Sequence, residues 1–282
     1  MAERNRHKRL CILAGLLLCG CGQPGSPEPQ QIAWETALRQ AIADAAPAVS
    51  GFVPQAEWDS TVGQLPVLLE QAAEREDNAA NLRSVTWERQ TAAGGNVLTL
   101  RLTYLAAPQE LARRQAALTA YTEGWAAQHS MLAPEIRVLL AHDALIRSCT
   151  YSVGAECSTA FGALLCGRAS CGGYAAAFRA LCSAAGIPCF TVRGTVCNAA
   201  GENVPHVWNL VELAGCCYHV DCTWDARTCG PPQHAWFLRS DAEMEATHTW
   251  DRRSVPESAG GTLSYHSIVA EMRHCIFRNA VV

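Results

Sequence analysis

Apolar positions fall into two regimes along this chain. In the first, Ile32, Leu38, Ile42 and Ala45 share one side of a helix spanning residues 32–45, and a second helical pattern runs over residues 65–74. Residues 82–90 and 97–104 read as strands, and Ala92-Ala93-Gly94-Gly95-Asn96 between them carries turn residues, which predicts a hairpin. A polar helix rich in Ala, Gln and Arg follows from Pro108 to about His129. This region offers no set of side chains suited to catalysis and reads as a small α+β accessory domain over residues 32–130.

Beyond Pro134 the pattern becomes more apolar. Ile136, Leu139 and Leu140 begin a helix that runs to about Arg147. Tyr174, Phe178, Leu181, Cys182 and Ala185 recur at helical spacing after Ser170, an N-cap type, and before Gly186 and Pro188, which end a helix. Residues 206–213 and 216–224 read as strands joined by an Ala214-Gly215 turn. With that turn at the centre, directly paired positions sum to 429, so His206 faces Thr223 and Trp208 faces Asp221. His206 and Asp221 then lie diagonally on one face, and a one-residue slip would separate them. Residues 131–282 are expected to form a second, α+β domain.

The chain has 282 residues, 49% apolar and 17% charged, the profile of a globular protein. A formal charge of −4 without a basic stripe excludes a nucleic-acid-binding surface. The first twenty residues have the layout of an export signal: Arg4, Arg6, Lys8 and Arg9 precede a run from Leu10 to Leu18 that is too short to span a bilayer. Leu18-Cys19-Gly20-Cys21 resembles the lipobox of bacterial lipoproteins, which implies cleavage after residue 20 and lipidation of Cys21. Residues 21–31 would be a tether to the extracytoplasmic face of a bacterial membrane. Lys8 is the one lysine of the sequence, so the processed chain would have none.

Fifteen cysteines are present. Setting aside Cys11 and Cys19 in the signal, Cys21 for lipid and Cys171 as a nucleophile leaves an odd number, so the rest cannot all be paired. Cys171 opens the helix that contains Tyr174 and Phe178, where the helix N-terminus favours a thiolate. Gly172 and Gly173 are expected to leave the thiol uncrowded. With His206 as base and Asp221 as the group that orients it, the chain holds the parts of a nucleophilic triad. A competing set of ligand types, Cys216, Cys217, His219, Cys222, Cys229 and His234, lacks the Cys-x-x-Cys spacing of structural zinc sites. Cys222 is expected to point into the core with Tyr218 and Trp224, and no metal or cofactor is expected.

The blocks Cys-Gly-Gly-Tyr-Ala at 171–175, His-Val-Trp-Asn at 206–209 and Val-Asp-Cys-Thr-Trp-Asp at 220–225 resemble the core of bacterial transglutaminase-like proteins. The helix His142-Asp143-Ala144-Leu145 leading to Tyr151, the run from Leu181 to Pro188 and Trp236-Phe237-Leu238 agree with it, over residues 134–245 in all. Gly172 departs from the resemblance, since an acidic or polar residue is common there, as does the density of cysteines. The resemblance implies a papain-like α+β fold, with a nucleophile helix packed on an antiparallel sheet. It also implies Cys171, His206 and Asp221 as nucleophile, base and orienting acid. The backbone N–H of Cys171 is a contributor to an oxyanion site. Acyl transfer from a peptide or glutamine carboxamide, to water or to an amine, is the implied chemistry, with a protein or peptide of the cell envelope as substrate. A non-catalytic surface module on the same fold and a cysteine-rich metal or redox protein are the alternatives.

Overall fold

The computed structural model describes residues 9–10, 29–75, 77–198, 200–226 and 233–279. The export signal, apart from Arg9 and Leu10, and the lipidation site Cys21 lie outside these residues. The chain forms two compact units, residues 1–113 and 114–282.

In the first unit, strand β1 (Arg9–Leu10) is followed by α1 (Pro29–Ala43), β2 (Ala48–Pro54), α2 (Trp58–Arg75), β3 (Leu82–Ala92) and β4 (Gly95–Tyr104). Helix α1 therefore takes in the last residues of the expected tether. The four strands form a sheet in the order β1-β3-β4-β2. Its buried face meets Leu38 and Ile42 of α1 and Leu65, Leu68 and Leu69 of α2, through Val53, Leu98 and Leu100. The hairpin β3–β4 turns at Ala93-Gly94, with Gly94 at φ 79°. Strand β2 had no clear alternation in sequence, because Ser50-Gly51 interrupts its apolar run.

Helix α3 (Pro108–Gln128) crosses the division between the units. Trp125, late in this helix, packs against the core of the second unit. That unit continues through α4 (Pro134–Ser148), β5 (Thr150–Tyr151), α5 (Ala160–Cys166), β6 (Arg168–Ala169), α6 (Cys171–Ala184), β7 (Cys189–Cys197), β8 (Asn203–Leu213) and β9 (Cys216–Val220). It ends with α7 (Cys222–Ala226), β10 (Phe237–Arg239), α8 (Asp241–Met244), β11 (His248–Trp250) and α9 (Tyr265–Asn279). Strands β10-β9-β8-β7-β11, in that order, form an antiparallel sheet. This is an α+β, papain-like fold. Among the described residues no helix is long and apolar enough to cross a membrane.

Helix α6 lies on one face of this sheet. Its Tyr174, Phe178 and Leu181 pack with Val211, Leu213, Tyr218 and Val220. On the opposite face Val192, Trp208, Leu210, Met244 and Trp250 form a separate cluster, as the strand period of two requires. Asn209, which points toward α6, donates from Nδ2 to Ala175 O at 3.1 Å and to Phe190 O at 3.3 Å. These bonds satisfy a buried amide and fix the helix against the strands.

Both ends of α6 were predicted, with one difference. Gly186 at φ 71° donates to Ser183 O and Ile187 N donates to Cys182 O, each at 2.9 Å, the paired bonds of a Schellman stop. Ser170 stands at the N-cap, but its side chain makes no capping bond. Its hydroxyl is 3.2 Å from Ser158 Oγ and donates to Cys157 O at 3.2 Å, which anchors the preceding loop instead. The two glycines also separate in role. A Cβ on Gly173 would stand 2.1 Å from Cys157 O, whereas one on Gly172 would meet nothing closer than 3.8 Å. Gly173 thus serves the approach of that loop to the helix, not the accessibility of the thiol.

Gly173→Ala is expected to lower unfolding stability by roughly 1–3 kcal/mol, the usual cost of overpacking. Gly172→Ala should stay within about 0.5 kcal/mol of the parent or stabilise the helix slightly. Urea denaturation of both variants checks this, and equal effects would contradict the packing role.

Candidate active site

The β8–β9 turn sets the geometry. Ala214 and Gly215 have φ of 52° and 77°, and the pairs Asn209–Val220 and Leu210–His219 keep the predicted register. Strand β9 ends at Val220, however, and not at Trp224. The cause is Asp221. Its Oδ1 accepts from Thr223 N at 2.9 Å and Trp224 N at 3.1 Å, and its own N–H donates to Trp236 O at 3.0 Å. The carboxylate therefore caps the short helix α7 and pulls the chain off the sheet. The cross-strand pairs His206–Thr223 and Trp208–Asp221 do not form; β8 instead pairs His206 with Gly194 of β7.

The contact that mattered is nevertheless made. His206 Nε2 lies 2.7 Å from Asp221 Oδ2, with the imidazole 6% and the carboxylate 0% exposed. Cys171, half-buried at the start of α6, is near enough to the same imidazole for it to lower the thiol. Since Nε2–H faces the carboxylate, Nδ1 is the nitrogen left to exchange a proton with the thiol. The structure thus brings the three predicted residues together in series.

Their electrostatics reinforce one another. Burial disfavours the Cys171 thiolate, but the hydrogen bond and charge of His206, with hydrogen bonds from the backbone of Val207 and Gly172, hold the thiol below its usual range. Burial also works against the His206 imidazolium; the Asp221 charge and hydrogen bond, with Cys171 in support, outweigh it and push the imidazole up to about 9. Burial would raise Asp221, yet the charge and hydrogen bond of His206 and a hydrogen bond from His248 hold it well below the usual carboxylate range. A thiolate–imidazolium pair at neutral pH is the state these shifts favour.

The other ligand-type residues have separate partners. His219 Nδ1 accepts from Trp208 Nε1 at 3.0 Å, and its Nε2 meets Asp241 Oδ1 at 2.7 Å. His234 Nε2 meets Asp143 Oδ1 at 2.7 Å, and Cys222 is buried in the core with Tyr218, while Trp224 stays half-buried outside it. Cys229 lies outside the described residues. Among the described residues, two groups have ligand atoms within 4.8 Å of one another and could hold a cation: His142, Asp143 and His234, and His206, Asp221 and His248. Neither contains a cysteine. The ten cysteines from Cys149 to Cys222 are free, and burial pushes the thiols of Cys149, Cys182, Cys217 and Cys222 up.

Sequence reasoning passed over two features. His142, fully buried on α4, places Nε2 3.0 Å from Asp225 Oδ2 and ties α4 to α7; the His-Asp pair inside an apolar helix was its visible trace. His248 on β11 places Nε2 3.2 Å from Asp221 Oδ2. Its trace is the repeat of His-x-Trp, at 206–208 and again at 248–250.

Residues 120–224 match the family model of the transglutaminase-like superfamily, a span that contains Cys171, His206 and Asp221. Through this segment the chain is similar to the transglutaminase-like superfamily. Solved structures similar to the chain include a TGase, at 15% identity and TM-score 0.36 over 55% of this chain. A candidate cysteine protease from Cytophaga hutchinsonii is similar at 15% identity and TM-score 0.32 over 49%. The chain spans 48% of the first and 62% of the second. No curated protein matches the sequence. The matched segment lies within the second unit, the one that brings Cys171, His206 and Asp221 together.

Asp221→Asn tests the electrostatics. Because the folded His206 lies above its unfolded value of about 6.5, its contribution to stability is complete below that pH and is lost as pH rises through about 9. The depressed Asp221 contributes above about pH 3.9 and loses its share as pH falls further. The stability gap between parent and Asp221→Asn should be widest between about pH 4 and 6.5 and should narrow above pH 9. NMR titration should find the variant's His206 well below the parent's value of about 9, and a pH-independent gap would refute the coupling.

Proposed function

We propose that this protein is an exported cysteine acyl-transfer enzyme, anchored to a bacterial membrane through lipid on Cys21, with Cys171, His206 and Asp221 as its catalytic triad. The observation that carries the proposal is the buried 2.7 Å contact of His206 with Asp221 beside Cys171, in which the thiol is lowered and the imidazole raised. Each is shifted toward the charged form that nucleophilic catalysis needs.

In this reading Sγ of Cys171 adds to a peptide or glutamine carboxamide carbonyl. The backbone N–H of Cys171, at the start of α6, contributes to stabilising the oxyanion. His206 Nδ1 then protonates the departing amine or ammonia, and an acyl-enzyme remains. Water or an amine displaces the thiol while His206 takes the proton back. Asp221 keeps the imidazole in the tautomer both steps require. Absence of lysine from the processed chain means that an amine acceptor of the lysine type would come from another molecule, a peptide or protein of the envelope.

Iodoacetamide should label Cys171 at pH 6–7, and His206→Ala should slow this labelling by about tenfold or more, because the imidazole helps hold the thiol below its usual range. Ammonia release stimulated by an added amine would mark transglutamination, and peptide cleavage without it would mark hydrolysis; Cys171→Ser should abolish either. Equal labelling of parent and His206→Ala would defeat the triad. Cys21→Ser should move the expressed protein from the membrane to the soluble fraction, and unchanged membrane retention would defeat the anchor.

A further inference from the structure

Asp221 serves two imidazoles. Its Oδ2 accepts from His206 Nε2 at 2.7 Å and lies 3.2 Å from Nε2 of His248, whose ring is 2% exposed. The other nitrogen of His248, Nδ1, is 2.8 Å from Thr247 Oγ1. A carboxylate only accepts, so Nε2 of His248 carries the proton; the hydroxyl can then donate to Nδ1, and a neutral ring is satisfied at both ends. The ring is boxed by Trp208, Trp224 and Trp236 at centroid distances of 4.9, 4.7 and 5.1 Å. Strand β11 delivers it by pairing with β7, His248 opposite Val196. Close approach is required here too, since a Cβ on Gly194 would stand 2.1 Å from Thr249 O.

We infer that His248 is a positioning residue of the proposed triad, holding the Asp221 carboxylate in the orientation that faces His206. The inference rests on the triad reading and extends it. Without His248, Oδ2 has one side-chain donor, and Oδ1, held by Thr223 N and Trp224 N, leaves the carboxylate free to pivot about its capping bonds. With His248 in place, four donors from β8, β11 and α7 fix both oxygens, and the bond to His206 needs no reorganisation as charge develops. Among the described contacts His248 bonds to Asp221 and none joins it to Cys171, so it acts through Asp221. The titratable groups facing it are His206 on β8, Asp221 after β9 and His219 on β9, with the Asp241–Arg252 pair behind His219.

The test reads the pH midpoint of iodoacetamide alkylation of Cys171 in the full chain. His248→Phe keeps an aromatic ring in the tryptophan box and removes the donor. His248→Gln returns an amide N–H near the position of Nε2 and cannot be protonated. Thr247→Val removes the hydroxyl beside Nδ1 at constant shape. His248→Phe is expected to raise the midpoint by about one pH unit, an about tenfold slower reaction at pH 6, with Gln restoring most of it and Thr247→Val giving a smaller rise. A His248→Phe midpoint equal to the parent's, or equal rises for Phe and Gln, would overturn the inference. If His248→Phe does not fold, a parent-like Thr247→Val midpoint together with a Gln midpoint as high as that of His206→Ala overturns it. A parent midpoint no lower than that of His206→Ala removes the activated pair itself, and the role of His248 with it.

Discussion

One buried carboxylate organises the centre of the second unit. Asp221 is fully enclosed and would be costly to ionise alone, so it exists as an anion only because donors surround it. Two are backbone amides of the first turn of α7, and two are imidazoles carried by β8 and β11. Satisfying those donors ends strand β9, starts α7 and fixes where His206 points. The same desolvated charge raises the imidazole, and the raised imidazole in turn acidifies the thiol at the head of α6. Fold and chemistry meet in this single group.

The rest of the unit can be seen as holding that arrangement still. Helix α6 is clamped at its start by the loop that approaches Gly173, along its length by Tyr174, Phe178 and Leu181, and across to the sheet by Asn209. A second buried His–Asp contact, His142 to Asp225, fastens α7 from its other side to α4. Trp208 works on the opposite face of β8, where its indole N–H is used by His219 and its ring packs against Trp250. The buried contacts of His206, His142 and His219 each satisfy a polar group at depth, which favours one arrangement over near alternatives.

Much of this was legible in sequence because it rests on local periodicity. The apolar face of α6, its Gly186 stop, the β3–β4 hairpin and the β8–β9 register all follow from spacing and turn residues. What escaped depends on contacts between distant segments. Asp221 looked like a strand residue because the run Tyr218 to Trp224 alternates acceptably; only its capture of two amides and of Trp236 shows that the strand stops. Ser170 has the chemistry of a cap, but nearby Ser158 and Cys157 claim its hydroxyl. His248 sits 27 residues beyond Asp221 on a three-residue strand whose pattern carries little signal by itself. Its place is decided by pairing with β7, a long-range event.

The turn at Ala214-Gly215 has a consequence for how the molecule can vary. Strand β9 runs five residues from this turn to its end, and each step toward the site inherits the register set there. Chain length at the β8–β9 turn is therefore as constrained as the His206–Asp221 contact itself, since one inserted residue would present His206 and Asp221 to opposite faces. The β7–β8 connection around Gly201 bears no such constraint, because its strands are registered by their own ladder and by Gly194 against β11. Length variation and grafted segments should accumulate at the second connection and be purged at the first, although both are exposed hairpin ends of the same sheet.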